Sequence, residues 1–266
     1  MAFSDARKER GLYHAEVAAT ERISPHLVRL TFGSADLASL PRHGFDHWVR
    51  LFFPHPERGD ADYSHLPETF GVTGYLKYLR QRSGGRPAVR SYTIRQQREQ
   101  EIDVDFIAHG DAGLAGPWAA RAKPGERVAL IDQGRGFDLL PDAEHHVLVG
   151  DESAMPAVLG VLRDLPSNAQ GLAIIEVPDL ADAQEGPAPS GVEVRWVVRD
   201  DRDARPGSVA LEELRGHRPE RPERVSAFVV GEQGLAAGGR RHLVDCGVPK
   251  SRIAFTGFWR VGRAAD

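Results

Sequence analysis

The first half of the chain has the hydrophobic pattern of short strands separated by turns. Residues 27–32 and 102–108 alternate hydrophobic with polar side chains, as strands with one buried face do. Trp48 to Phe53 and Arg127 to Ile131 add two further candidate strands. One helix, from about Gly113 to Ala122, interrupts them. Short strands joined by turns rich in glycine and proline predict a small antiparallel β-barrel.

The second half has a different pattern, in which short apolar strands alternate with amphipathic helices. This alternation predicts parallel crossovers and an open α/β sheet. The predicted strands cover residues 147–149, 172–177, 192–198, 227–230 and 253–255, and the predicted helices cover 155–165, 209–215 and 235–246. The change of pattern predicts two domains, 11–140 and 143–262.

Composition narrows the class of protein. The chain has 266 residues, a formal net charge of -4 and a single cysteine, Cys246, so one chain cannot form an internal disulfide or a thiolate metal cluster. No apolar run is long enough to span a bilayer, and the first ten residues do not have the pattern of a signal peptide. We therefore expect a cytoplasmic protein that binds neither nucleic acid nor membrane. Four histidines fall between positions 43 and 65, but their spacing includes Gly and Pro, and no metal site is expected.

The segment Arg90-Ser91-Tyr92-Thr93 carries the most specific chemistry of the first half. On a strand, Arg90 and Tyr92 share one face, and Thr93 points to the other. A flat aromatic ring, a planar cation that matches a pyrophosphate and a short hydroxyl suit a dinucleotide that carries a flavin. The segment therefore favours a flavin site on this strand.

In the second half, Gly150-Asp151-Glu152-Ser153 follows a predicted strand and begins a helix. Ser153 is a candidate N-cap, and the helix start offers N–H groups to a phosphate or a ribose. No Gly-x-Gly-x-x-Gly is present in the sequence. Arg199, at another strand end, suits a 2′-phosphate, whereas Glu176 suits a ribose hydroxyl. These residues leave NADH and NADPH both open, with a lean towards NADPH.

Several segments in this order resemble the siderophore-interacting proteins, which are FAD-dependent ferric-siderophore reductases of the ferredoxin-reductase-like superfamily. The resemblance covers almost the whole chain. It departs from the family at Arg50, where lysine is commoner, and at Gly116, where the family usually has Ser or Thr. The matching segments are Ile23–Phe32, Val49–Pro54, Arg90–Arg95, Asp103–Gly113, Gly150–Ala157 and Gly257–Gly262.

The resemblance implies an antiparallel six-stranded β-barrel that binds FAD, followed by a Rossmann-like parallel-sheet domain that binds NADPH or NADH. No side chain is expected to act as a catalytic acid or base. The residues expected to contact the cofactors are Arg90, Ser91, Tyr92, Thr93, Asp105, Ile107, His109, Gly113, Leu114, Ala115, Gly116, Trp118, Gly150, Asp151, Glu152, Ser153, Arg199 and Trp259. Because Gly116 lacks the family's hydroxyl, we expect weaker FAD binding than in a Gly116→Ser variant.

The resemblance also implies an activity, in which a hydride reduces the flavin and single electrons then reduce Fe(III) in a siderophore to Fe(II). The substrate, a ferric hydroxamate or catecholate, is expected to bind a cationic pocket, and no obligate protein partner is expected. The candidate substrate arginines are Arg50, Arg80 and Arg260, with Arg82, Arg86 and Arg263 as neighbours. Two alternatives stay open: a flavin reductase whose acceptor is a ferredoxin or flavodoxin, and a ferric-siderophore-binding protein without enzymatic activity.

Overall fold

The computed structural model describes residues 11–55, 61–69, 72–80, 84–108, 113–201 and 203–262. The chain divides into two compact units. Most of the first unit precedes Gly136, and the second unit contains the rest of the chain together with Gly44–Asp46. The domain bounds given above, 11–140 and 143–262, stay a prediction.

The first unit is an antiparallel sheet with two short helices, α1 (Val72–Leu79) and α2 (Ala115–Ala119). Its strands follow the sheet order β4-β3-β7-β1-β2-β6-β5. They are β1 (Leu12–Ser24), β2 (Leu27–Gly33), β3 (Trp48–Phe53), β4 (Ala88–Thr93), β5 (Gln96–Gln97), β6 (Glu101–Ile107) and β7 (Arg127–Asp132).

Strands β4 and β5 occupy opposite edges of this sheet, although only Ile94 and Arg95 separate them in sequence. The Ile94 N–H donates to His47 before β3 (2.8 Å), and the Arg95 N–H donates to Asp103 of β6 (2.8 Å). A single bent strand therefore pairs with β3 first and with β6 afterwards, which joins the two edges. Counted in this way, the described residues form the six-stranded barrel that the resemblance implied.

The two faces of the barrel sheet carry separate hydrophobic clusters. The inner cluster includes Phe32, Leu51 and Phe106, all fully buried. The outer cluster includes Phe52 and Tyr78, whose ring lies 5.9 Å from that of Phe52. Helix α1, which the hydrophobic pattern did not predict, therefore covers part of the outer face.

The second unit is a parallel sheet with the strand order β10-β9-β8-β11-β12, as the alternating pattern predicted. Its strands are β8 (His145–Gly150), β9 (Gln170–Val177), β10 (Gly191–Val198), β11 (Val225–Glu232) and β12 (Ile253–Trp259). Its helices are α3 (Met155–Asp164), α4 (Ser208–Gly216) and α5 (Gln233–Asp245). Among the described residues, no helix combines the length and the apolar character that crossing a membrane requires.

Candidate functional site

Strand β4 carries the candidate flavin residues on two faces. Its register with β3 pairs Arg90 with Leu51, Ser91 with Arg50 and Tyr92 with Val49. Because directly opposed residues share a face, Arg90 and Tyr92 lie on the inner side, and Ser91 and Thr93 lie on the outer side. The structure thus places these side chains on the faces that the sequence predicted.

Tyr92 offers a flat and uncharged ring on the inner face. Its ring centroid lies 4.4 Å from that of Phe106. Burial raises the pKa of the Tyr92 hydroxyl, although the nearby Arg90 charge opposes the shift, so the phenol stays protonated at neutral pH. Arg90 is half-buried, and its Nη1 donates to the carbonyl of Val89 at 2.7 Å.

Arg50 lies on the outer face of the sheet, opposite Ser91 and away from Tyr92. Its guanidinium lies 5.7 Å from the Trp48 ring centroid, and burial lowers its pKa. Arg86 stacks over Tyr78 at 5.5 Å on this same face, and Arg80 follows α1 as an exposed residue. The outer face therefore carries Arg50 and Arg86, Arg80 directly follows the helix that covers part of this face, and Arg82 lies outside the described residues.

Asp105 is committed to an ion pair between strands. Its carboxylate accepts two hydrogen bonds from Arg29, at 2.7 and 2.9 Å, and its side chain is almost fully buried. Arg95 lies 4.0 Å away. The ion pair between Asp105 and Arg29 thus links β6 to β2. The contact of Asp105 with the cofactor stays a prediction. Ile107 ends β6 opposite Leu27, and His109 lies outside the described residues.

The segment from Gly113 to Trp118 contains the two residues before α2 and most of that helix. Leu114 is its N-cap residue, and no side chain caps the helix there. Trp118 is instead part of the inner core, where its ring stacks on Phe53 at 4.8 Å and its indole N–H donates to Glu126 at 3.1 Å. Trp118 therefore has a packing role, which the sequence did not predict.

Gly116 has a steric reason to be glycine. A Cβ atom at this position would lie 2.6 Å from the carbonyl oxygen of Ile107, which is closer than real Cβ contacts allow. Any side chain here must push α2 away from β6. The absence of the family's hydroxyl therefore accompanies a close approach of the helix to the strand.

This clash reverses the expectation that Gly116→Ser would bind FAD more tightly than the parent. We expect Gly116→Ser and Gly116→Ala to lower thermal stability and FAD affinity together, because overpacking costs about 1–3 kcal/mol. Thermal denaturation and FAD titration of the pure protein measure both effects. Gly84→Ala is the control, since nothing lies within 4 Å of a Cβ at that position. An unchanged melting temperature with tighter FAD binding in Gly116→Ser would show that the missing hydroxyl matters more than the packing.

In the second unit, three strand ends place buried carboxylates at helix starts. Asp151 accepts from the N–H groups of Ser153 (3.0 Å) and Ala154 (3.3 Å) at the start of α3. Glu176 accepts from Val209 (2.9 Å) and Ala210 (3.0 Å) at the start of α4. Glu232 is itself the N-cap of α5 and accepts from the N–H of Gly234. The protein's own carboxylates thus accept hydrogen bonds from N–H groups at helix starts, which in other proteins often bind phosphates.

The expected role of Ser153 as N-cap is therefore wrong. The N-cap residue is Ala154, and the Ser153 hydroxyl donates to Asp151 at 2.5 Å. The same hydroxyl accepts from the indole N–H of Trp259 at 3.1 Å. The structure thus brings Ser153 and Trp259 together, while Arg260 is exposed after β12 and Arg263 lies outside the described residues.

Arg199 is held by two carboxylates inside the second unit. Its guanidinium donates to Glu152 at 3.0 and 2.7 Å and to Glu176 at 2.5 Å. The Arg199 side chain is 7% exposed. A 2′-phosphate could pair with it only by displacing these carboxylates, so its geometry does not favour NADPH. Because Glu176 is bonded to Arg199 and to α4, the ribose role expected for it is disfavoured in the same way.

Asp151 has a strongly perturbed environment. Burial, and then the neighbouring Glu152 charge, raise the pKa of Asp151 to about 7, although hydrogen bonds from Ser153 and Glu232 oppose the shift. A carboxyl group that changes charge near neutral pH stands at the end of β8, where ligands of open α/β sheets bind. The carboxylates at this edge already accept the nearby helix N–H groups, which disfavours a phosphate group there.

Comparison with known proteins assigns both halves of the chain. Residues 16–136 match the family model described as the siderophore-interacting FAD-binding domain, and residues 143–262 match the one described as siderophore-interacting protein. Ferric vibriobactin reductase ViuB of Vibrio cholerae is 31% identical over 252 residues, which cover 91% of this chain and 86% of ViuB. The NADPH-dependent ferric-chelate reductase of Escherichia coli is 33% identical over 196 residues, covering 71% of this chain and 73% of that protein.

A solved structure agrees with these matches. The siderophore-interacting protein SipS from Aeromonas hydrophila superposes with a TM-score of 0.77 at 29% identity, covering 96% of this chain and 93% of SipS. Family models match nearly the whole chain, and ViuB matches at more than 30% identity over most of its length. The chain belongs to the siderophore-interacting protein family.

Proposed function

We propose that this protein is an NAD(P)H-dependent, FAD-containing reductase that reduces Fe(III) in ferric siderophores and releases the iron as Fe(II). The observation that carries the proposal is β4, which presents Arg90 and Tyr92 on one face within a unit that matches an FAD-binding family model. Two relatives, ViuB and the ferric-chelate reductase of Escherichia coli, are named as reductases of ferric chelates. The proposal extends their activity to this chain.

The residues of the first unit fit FAD. The Tyr92 ring is flat, half-buried and uncharged, which suits stacking on a flavin, and Arg90 suits the pyrophosphate. Ser91 and Thr93 offer hydroxyls from the other face of the strand. FAD, when bound, supplies the chemistry that accepts two electrons as hydride and passes them on one at a time. The side chains bind and orient, and none is assigned a proton transfer.

The chemistry of iron gives the reaction its direction. Oxygen ligands of siderophores hold Fe(III) more tightly than Fe(II), so one electron loosens the chelate. A hydride carries two electrons, so each nicotinamide oxidised releases two Fe(II) ions. Siderophore chelates are often anionic, and Arg50 and Arg86 on the outer face, with the exposed Arg80 after α1, offer the matching charge. NADH and NADPH both remain candidate donors.

The test follows the flavin absorbance of the FAD-reconstituted protein under anaerobic conditions. We expect NADH or NADPH to bleach the flavin, and a ferric hydroxamate or catecholate to reoxidise it with Fe(II) captured by a chelator. Bleaching without reoxidation by iron would favour a ferredoxin or flavodoxin as acceptor. Failure to bind FAD would leave a siderophore-binding protein without enzymatic activity.

We expect the double replacement Arg50→Gln and Arg80→Gln to raise KM for an anionic ferric siderophore by about tenfold or more, since each charged hydrogen bond contributes about 1.5–3 kcal/mol. Steady-state kinetics at low salt measure this effect, because screening is weakest there. Arg22→Gln, which removes an exposed arginine of β1, is the control. Equal KM values in the parent, the double variant and Arg22→Gln would show that Arg50 and Arg80 do not bind the substrate.

A further inference from the structure

Two histidines and one aspartate of the first unit meet outside the residues assigned above. His43 Nε2 lies 2.9 Å from Asp132 Oδ2, and His47 Nε2 lies 2.8 Å from Asp132 Oδ1. The atoms that these three side chains offer all lie within 4.8 Å of one another. Ligand atoms bound to one ion at about 2.0–2.4 Å can be no farther apart than about 4.8 Å. The cluster therefore has the size of a coordination sphere.

We propose that His43, His47 and Asp132 bind a first-row divalent transition-metal cation. Two imidazole nitrogens and one carboxylate are the donor set that Zn²⁺ and Fe²⁺ take in proteins, with open positions left for water. One Asp132 charge and two neutral imidazoles leave the bound cation with a net positive charge. Among these cations we assign Fe(II) as the natural one, and this assignment rests on the proposed function, which releases Fe(II).

The backbone between the histidines is shaped to aim both rings at one carboxylate. Gly44 and Phe45 have φ values of 66° and 50°, and Phe45 is thus a non-glycine residue in the left-handed region. The two imidazole rings lie 4.7 Å apart and nearly perpendicular, at 89°. Strained backbone of this kind is concentrated at functional sites. The turn brings together histidines that an extended chain would separate.

The aspartate is held in place by a further contact. Asp132 Oδ1 also accepts the N–H of Gly134 at 2.8 Å, which helps to fix the orientation of the carboxylate. Such outer contacts are typical of metal ligands. They make the carboxylate a prearranged ligand rather than a mobile surface group.

Exposure and charge favour an exchangeable cation. The side chains of His47 and Asp132 are almost fully buried, whereas that of His43 is 21% exposed, so the cluster is open to solvent on the His43 side. Arg135 donates to the His43 carbonyl at 3.2 Å, and this nearby positive charge weakens cation binding. Both features suit a site that binds and releases its ion rather than one that holds it permanently.

The competing explanation is a hydrogen-bonded clamp without a metal. In that case each imidazole donates its Nε2 proton to Asp132 and fixes the loop before β3. A metal site instead needs the Nε2 lone pairs, so binding must release or shift those protons. His43→Gln separates the two, because a glutamine amide can donate to Asp132 but is a poor ligand.

The experiment titrates the purified, oxidised protein with Co(II) and Zn(II), with no nicotinamide or siderophore present. We expect about one equivalent of Co(II) to give ligand-field absorption bands, which Zn(II) displaces. Affinity should fall at least 100-fold, in order of magnitude, in His43→Gln and in Asp132→Asn, since losing even an outer contact costs about 10–100-fold. His14→Ala, which removes an exposed histidine of β1, should bind as the parent does.

Two results would overturn the proposal. One is the absence of saturable Co(II) and Zn(II) binding by the folded parent protein. The other is equal affinity in the parent and in a His43→Gln variant that keeps the parent's melting temperature. Because the titration uses no flavin reduction, its failure leaves the reductase proposal intact, and failure of the reductase assay leaves the cation site intact.

Discussion

Replacing Arg199 with alanine is expected to lower the free energy of unfolding by about 3–5 kcal/mol, the cost of removing one partner from a buried ion pair. Arg199 holds both Glu152 and Glu176, and the Glu176 side chain is fully buried. Without the guanidinium, two buried carboxylates lose their counter-charge. Urea denaturation followed by tryptophan fluorescence measures the loss.

Arg195→Ala is the matched control. Arg195 lies on the same strand, β10, but its side chain is 40% exposed and it pairs with the exposed Glu193 and with Glu213. Exposed pairs contribute little, so we expect a much smaller effect. Equal losses in the free energy of unfolding of the two variants would show that burial does not strengthen the contribution of the Arg199 ion pairs.

The Arg199 variant also tests the nucleotide preference. Because its guanidinium is engaged by Glu152 and Glu176, we expect Arg199→Ala to leave the ratio of NADPH to NADH affinity unchanged. A selective loss of NADPH binding, with stability retained, would restore the 2′-phosphate role that its position at the end of a strand suggested.

Much of the fold could be predicted from the hydrophobic pattern. Parallel strands buried on both faces appear as continuous apolar runs, and this is why β8, β9 and β11 were predicted close to their observed bounds. The faces of β4 followed from the two-residue period of a strand. In each case the pattern depends on neighbours in sequence.

Elements without a clear pattern were missed or misjudged. Strand β1 begins at Leu12, but its second half carries exposed residues on both faces, and the alternation fades. Helix α1 contains Gly74 and β-branched residues, which are poor helix formers. Helix α2 is shorter than the predicted range 113–122 and ends at Ala119. Tertiary packing, rather than local propensity, defines these elements.

The candidate sites were harder to predict than the fold, because their pairings span long sequence separations. Arg199 lies 47 residues from Glu152, and His47 lies 85 residues from Asp132. In the sequence, a strand-end arginine and a strand-end glutamate each looked like ligand contacts. Only the strand register shows that they neutralise each other, and only the loop geometry brings the histidines to one carboxylate.

Replacing Asp151 with asparagine is expected to abolish a fall in stability between about pH 4 and pH 7. Burial, with the neighbouring Glu152 charge, raises the pKa of Asp151 from 3.8 to about 7. In this window the folded state keeps a proton that the unfolded state has released, so stability falls as pH rises through it. The slope for one proton is at most about 1.4 kcal/mol per pH unit.

The measurement is the urea midpoint of the parent and of Asp151→Asn at a series of pH values. Because asparagine resembles the protonated carboxyl, the variant should gain stability relative to the parent as the pH rises from 4 to 7, and the difference should stay constant above that range. Asp142→Asn is the control. A hydrogen bond from Arg252 holds the pKa of Asp142 below its usual value, so replacing Asp142 should change the pH dependence of stability only at pH values below about 4. A difference independent of pH between 4 and 7 would show that Asp151 is already ionised, with its four hydrogen bonds from Ser153, Ala154 and Glu232 outweighing its burial.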